Sequence, residues 1–149
     1  MPRRSTPILQ LGLDLAAVVG PSGEFAHNLA QCRDAALDLH QRLKKDHRFR
    51  TWLEPELDIV TWAPFGPTAS RISELSQAIF TTAAKMDLHV ATFKYPARLL
   101  KEAWPDVRLD VDQVLCLRSC LMKPEHLEWL DRIWQILDKA TDKALKPLY

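Results

Sequence analysis

Arg118 stands in the most constrained chemical setting of the sequence. The run Val114 to Met122 reads VLCLRSCLM, β-branched, aliphatic and thiol-bearing apart from that arginine and Ser119, a composition suited to a pleated and largely buried strand. Alternation sends Leu115, Leu117, Ser119 and Leu121 to one side, and Val114, Cys116, Arg118, Cys120 and Met122 to the other. A guanidinium does not shed its proton, so it must find water, a carboxylate or an aromatic face. Two readings stand. In one, Arg118 is an edge-strand residue whose stem lies along Cys116 and Cys120 while its head reaches solvent. In the other it is a fixed fork for a substrate carboxylate. Pattern alone leaves both open.

The remaining reactive types are less organised. Glu54 and Glu56 flank Pro55 in what reads as a turn, the setting of solvated loop charges rather than of a catalytic carboxylate pair. Cys116 and Cys120 lie four apart on the strand, roughly 13 Å between Cα atoms at strand rise. They therefore neither bridge to each other nor share a metal ion. With Cys32 they read as buried, reduced thiols of a cytoplasmic protein. His27, His40, His47, His89 and His126 show no ligand spacing, which points to surface or capping roles and to no metal site. Four glycines provide no phosphate-cradling loop, and Gly20-Pro21-Ser22-Gly23 reads as one helix stopping and another starting. No nucleophile elbow or HExxH occurs.

The elements that position Arg118 follow from periodicity. After the strand, Lys123-Pro124-Glu125 places a proline in a first helical turn, with Glu125 and Glu128 at the positive end of the dipole. Leu127, Leu130, Trp134 and Leu137 then form a stripe that can cover one face of a sheet. At the other end of the chain, Ile8 to Val19 predicts a helix stopped by Gly20-Pro21. Ile8, Leu11, Leu15 and Val18 make one of its stripes; Leu9, Leu13, Ala16 and Val19 make another nearly opposite, so the segment asks for burial on both sides. Ser22 is positioned to cap a second helix running to about Asp46, with Phe25, Leu29, Cys32, Ala36, Leu39 and Leu43 inward. Arg48 to Leu53 and Leu57 to Trp62 read as two adjacent strands, Ala69 to Met86 as a helix, Leu88 to Tyr95 as a third strand, and Pro96 to Trp104 as a loop or short helix. The order predicts an α+β fold: a small, mostly antiparallel four-stranded sheet with helices packed on one face. Residues 1–20 are expected to form a junction segment and connecting helix, and 21–149 the small α+β domain.

The chain's 149 residues suffice for one domain with a real core. Twenty basic residues against nineteen acidic ones, with no basic stripe, argue against nucleic acid or anionic membrane as partner. Arg3 and Arg4 precede an apolar segment, but Gln10 and Asp14 interrupt it and no small-residue cleavage pattern closes it, so the features of a signal peptide are not met. No stretch is long and apolar enough to span a bilayer.

Three segments carry a resemblance. PRRSTPILQLGLDLAAVVGPSGEFAHNLAQC is similar to the arginine pair, apolar helix, glycine-x-x-glycine turn and long helix of the pyridoxal-phosphate-dependent group II amino-acid decarboxylases, the family of the aromatic amino acid and glutamate decarboxylases. DHRFRTWLEPELDIVTW resembles that family's aspartate-x-arginine-phenylalanine lead into two strands. LRSCLMKPEHLEWLDRIWQIL resembles its closing leucine-arginine strand and last helix. The likeness runs in order over nearly the whole chain and matches the family's C-terminal portion; from Pro64 to Pro105 it is one of pattern only.

The resemblance implies a homodimeric enzyme in which a large domain holds pyridoxal 5'-phosphate through a lysine imine while a small C-terminal domain packs against it. The family's lysine follows a histidine, and no His-Lys pair occurs in this chain, so the chain by itself is not expected to form the imine. Carried onto this sequence, the arginine of the closing strand is Arg118, with a substrate-carboxylate contact as its implied role. Arg4, at the domain junction, is a second candidate whose alternative is a flexible terminal charge. The expected partner is a large pyridoxal-phosphate-binding domain or subunit, within a homo-oligomer. A reading from a different class is a non-catalytic module that kept the small-domain fold and dimerises through the doubly apolar first helix.

Overall fold

A computed structural model describes residues 23–146. The Ile8 to Val19 segment, the 1–20 junction, Arg4 and the Ser22 cap all fall outside those residues. Helix α1, Glu24–Lys45, has Gly23 at its N-cap, with no side-chain cap. Strand β1 is Phe49–Arg50 and β2 is Ile59–Pro64. Helix α2 is Ala69–Lys85, β3 is Ala91–Pro96, and a 3-10 turn follows over Ala97–Leu100. Strand β4, Gln113–Cys120, and helix α3, His126–Leu145, complete the order. The sheet order is β1-β2-β4-β3 and every pairing is antiparallel, so the expected α+β class and four-stranded sheet are what the chain forms.

Where boundaries differ from the sequence reading, a local interaction decides. The first strand shrinks from six residues to two because Trp52 leaves the ladder. Its ring packs 5.2 Å from Trp104, 5.4 Å from Tyr95 and 6.2 Å from Phe93, centroid to centroid. Aromatic packing thus overrides strand propensity at Trp52. The third strand starts at Ala91 rather than Leu88 because the preceding residues stop α2. Asp87 takes the left-handed conformation at φ 61, its N–H donating to Ala84 O at 3.1 Å and that of Leu88 to Ala83 O at 2.9 Å, a Schellman closure. Helix α3 starts two residues beyond Pro124, after a turn in which the His126 N–H donates to the Lys123 carbonyl at 2.9 Å.

The two faces of β4 are covered differently. Leu117, Ser119 and Leu121 share a face with Val60 and Trp62 of β2, and this side packs against Ala35, Ala36, Leu39 and Leu43 of α1, Ile79 of α2, and Leu130 and Leu137 of α3. Trp62 is fully enclosed here; its indole N–H donates to Ser119 Oγ at 3.1 Å, which satisfies both polar groups away from water. Burial of one such side chain contributes about 2–3 kcal/mol. Among the described residues no long helix lies along the opposite face. Ala69 and Ile72 in the first turn of α2, with Trp52, Ala97, Leu100 and Trp104, cover it at the end occupied by Ala63, Val114 and Cys116.

Arg48 fastens α1 to α3. Asp46 Oδ1 accepts from its backbone N–H and Nε, both at 3.0 Å, and Asp46 Oδ2 accepts from NH2 at 2.6 Å. The same guanidinium donates to Asp138 at 2.7 Å and Asp142 at 2.8 Å on α3. Its neighbour Phe49 packs edge-on to Trp62 and Trp134 at centroid separations of 5.2 and 6.1 Å. The Asp46-x-Arg48-Phe49 motif is therefore a structural clasp. Its hydrogen bonds from Arg48 hold the Asp46 carboxyl below its ordinary value of 3.8, against a smaller opposing effect of burial. A depressed carboxyl stabilises the fold above the unfolded value, and that contribution is lost as pH falls through the folded one. Replacement Arg48→Ala is expected to cost about 2 kcal/mol in urea unfolding at neutral pH, chiefly by stranding a half-buried carboxylate. The gap between the two proteins should close as pH drops below 3.8; a gap of constant size from neutral to acid pH would show that the ion pairs contribute nothing.

Candidate functional site

Arg118 lies on the uncovered half of the sheet. Its Cα partners are Thr61 on β2 and Ala91 on β3, and its side chain is exposed, between buried Cys116 and exposed Cys120 of the same row. It is on the central strand β4, not on an edge, so the backbone beneath it is held by ladders on both sides. No ion pair among the described residues includes it. The sheet's other arginine, Arg50, is a contrast. Both of its terminal nitrogens donate to Asp106, and its guanidinium stacks 3.8 Å above the Phe65 ring, so its charge is spent internally.

A groove runs alongside, lined by Leu53, Glu54, Pro55, Glu56, Leu57, Asp58, Ile59 and Thr61. Thr61 is the cross-strand neighbour of Arg118, which makes the groove and the guanidinium parts of one surface. The Glu56 carbonyl accepts from Arg33 Nε at 3.2 Å and the Asp58 carbonyl from the Leu121 N–H at 2.8 Å, fixing both ends of the loop. Leu57 and Met122, each 68% exposed, and half-exposed Leu53 and Ile59 give the surface an apolar border. Phe25 and Leu29 of α1, expected in its buried seam, are also about half exposed; the enclosed part of that seam begins at Cys32. The arrangement presents one cation without a partner among the described residues, a rim of three carboxylates, and apolar ground between them. Chemically it suits a ligand or protein surface that brings a carboxylate to Arg118 and apolar groups around it.

Two expectations need correction. The three thiols are not all buried: Cys32 and Cys116 are, but Cys120 is exposed beside Arg118, because the aromatic cover stops at Cys116. Burial alone pushes the Cys116 thiol up to about 12. Burial, with smaller contributions from Asp58 and Glu125, raises that of Cys32. His40 is neither a surface nor a capping residue; it is 5% exposed on the inner side of α1. Its position one residue beyond Leu39 was the signal available in the sequence, since a helix packed on two neighbours has a wider inner arc than one stripe. His126, the first residue of α3, does not cap it; its Nδ1 accepts the Lys123 N–H at 3.3 Å and so closes the turn ahead of the helix.

The cofactor that the resemblance implies does not fit this chain by itself. All nine lysines among the described residues are exposed, and an imine-forming lysine needs an enclosed setting that lowers its proton affinity. Among the described residues, no helix is long and apolar enough to cross a membrane.

No family model and no curated protein matches the sequence. Among solved structures, the chain is similar to Oryza sativa TDC, a crystal structure with PLP and tryptamine, at a TM-score of 0.60 and 13% identity. The match covers 80% of this chain and 23% of that one, so the chain spans less than a quarter of the length of the structure it resembles. At that identity the likeness is one of fold: a four-stranded antiparallel sheet with helices on one face, as in part of a larger PLP-binding protein.

The coverage of the sheet is open to a direct chemical check. In the native chain a thiol reagent should modify Cys120 rapidly at neutral pH while Cys32 and Cys116 react only on unfolding, and Cys120→Ser should abolish the fast phase. Rapid modification of Cys116 would mean that the Trp52 and Trp104 cover is not in place.

Proposed function

We propose that this chain is the small C-terminal domain or subunit of a pyridoxal-phosphate-dependent amino-acid decarboxylase, and that Arg118 binds a carboxylate of the substrate. The observation that carries the proposal is the fold match to part of Oryza sativa TDC, solved with PLP and tryptamine. The order of the sequence motifs supports it independently. That the described residues stop short of enclosing Arg118 supports a neighbour on that side. In this reading the lysine and the phosphate site belong to a large domain or subunit that the small domain packs against, in a homo-oligomeric cytoplasmic enzyme. When bound there, the cofactor supplies the electron sink for loss of carbon dioxide.

The role of this chain's own residues is positional. The central strand fixes the backbone from which the Arg118 side chain extends, and on meeting a carboxylate its two parallel donors set the direction of the ligand as well as attracting it. The Glu54–Asp58 rim disfavours anions elsewhere along the groove, which narrows the orientations available. The border formed by Leu53, Leu57, Ile59 and Met122 supplies apolar area for the neighbouring domain.

In the complete enzyme Arg118→Ala should lower kcat/KM by about 10- to 100-fold, the range expected for a lost charge-assisted pair, with Arg118→Lys between the two. Unchanged kinetics would remove Arg118 from the site. Retention of the small-domain fold with no pyridoxal-binding partner at all would favour the non-catalytic module instead.

A further inference from the structure

Thr61 stands opposite Arg118, and the bonding pattern of the sheet makes theirs the closer of the two cross-strand pairs that the arginine enters. The Leu121 N–H donates to Asp58 O at 2.8 Å, and the register places Ile59 opposite Cys120 and Trp62 opposite Leu117. Alternation then assigns the backbone bonds between β2 and β4 to Val60 with Ser119 and to Trp62 with Leu117. Thr61 and Arg118 form a non-hydrogen-bonded pair, with Cα atoms about 4.5 Å apart and side chains adjacent. On the other flank the Ala97 N–H donates to Asp112 O at 2.9 Å, so Ala91 and Arg118 fall in a hydrogen-bonded pair, about 5.5 Å across, and Ala91 brings only a methyl group. Cys116 and Cys120 on β4, Ile59 and Ala63 on β2, and Phe93 on β3 complete the strand positions around the arginine on this face, and none of them carries an oxygen. Thr61 alone among these strand residues has a hydroxyl.

We infer that Thr61 is a second binding residue of this site, its hydroxyl donating to the carboxylate that Arg118 holds; the inference rests on the carboxylate role proposed for Arg118. A carboxylate offers about four acceptor positions and a guanidinium fork fills two of them, so a further donor is needed once the ligand gives up water. Thr61 meets that need from one side only, since Ala91 has no donor to offer from the other. The carboxylate is thereby drawn to the β2 flank, and the rest of the ligand points into the groove of which Thr61 forms part of the wall. Thr61 is half-buried and β-branched, so holding its side chain in one rotamer costs little. It sets the direction of the ligand, where Arg118 supplies most of the attraction.

The probe is hydrocinnamate, a carboxylate with an apolar tail, titrated into the full chain while the Arg118 Nε–H resonance, assigned by its loss in Arg118→Lys, is followed by NMR. A saturable shift is expected at millimolar hydrocinnamate. Thr61→Val keeps the shape and branching of the side chain and should weaken binding about tenfold, whereas Thr61→Ser, which keeps the hydroxyl, should bind within about twofold of the native chain. Equal binding by the native chain and Thr61→Val, or a loss in Thr61→Ser as large as in Thr61→Val, would overturn the role of Thr61 and leave that of Arg118 standing. No saturation in the native chain would overturn both.

Discussion

A sheet that its three described helices cover chiefly on one side is the constraint from which the other features of this chain follow. Three helices meet over Trp62, Leu117 and Leu121, and the face they cover is dry. Among the described residues the reverse face is covered by loops, the 3-10 turn and the first turn of α2, as far as the cluster of Trp52, Tyr95, Phe93 and Trp104. Beyond that cluster the described residues leave Arg118 and Cys120 exposed. The residues that lie there, Arg118, Cys120 and Ile59, stand exposed on paired backbone, with Thr61 half-buried among them. Such a surface combines low mobility with accessibility, which is what a recognition site on a strand requires.

The three arginines close to the sheet show how placement decides role. Arg48 meets three aspartates and serves as a clasp between helices. Arg50 is committed to Asp106 and to the ring of Phe65. Among the described residues Arg118 has neither a carboxylate nor a ring against it, although its strand is paired on both sides. All three side chains are chemically identical; the difference lies in what the neighbouring elements carry at that register.

Much of this architecture is legible in the sequence. The alternation through β4 gives both of its faces correctly, including the position of Arg118, and the stripe Leu127, Leu130, Trp134 and Leu137 marks the packed side of α3. What escapes is non-local. Nothing near Trp52 announces that its ring joins Tyr95 and Trp104, so the short β1 is invisible to periodicity. Nothing near Cys120 indicates where the aromatic cover stops. Glu54 and Glu56 read as ordinary turn charges, and their place on the groove beside Arg118 depends on the register between β2 and β4.

The central claim, that the open face belongs against a cofactor-bearing neighbour, meets its most direct test in the visible absorbance of the native assembly. The chain, with whatever polypeptide accompanies or contains it, would be isolated from its source cells under non-denaturing conditions and the spectrum recorded across the size-exclusion profile. Co-elution with the yellow absorbance of a pyridoxal imine, bleached by borohydride, is the expected result. A colourless chain eluting alone as a monomer would contradict the account.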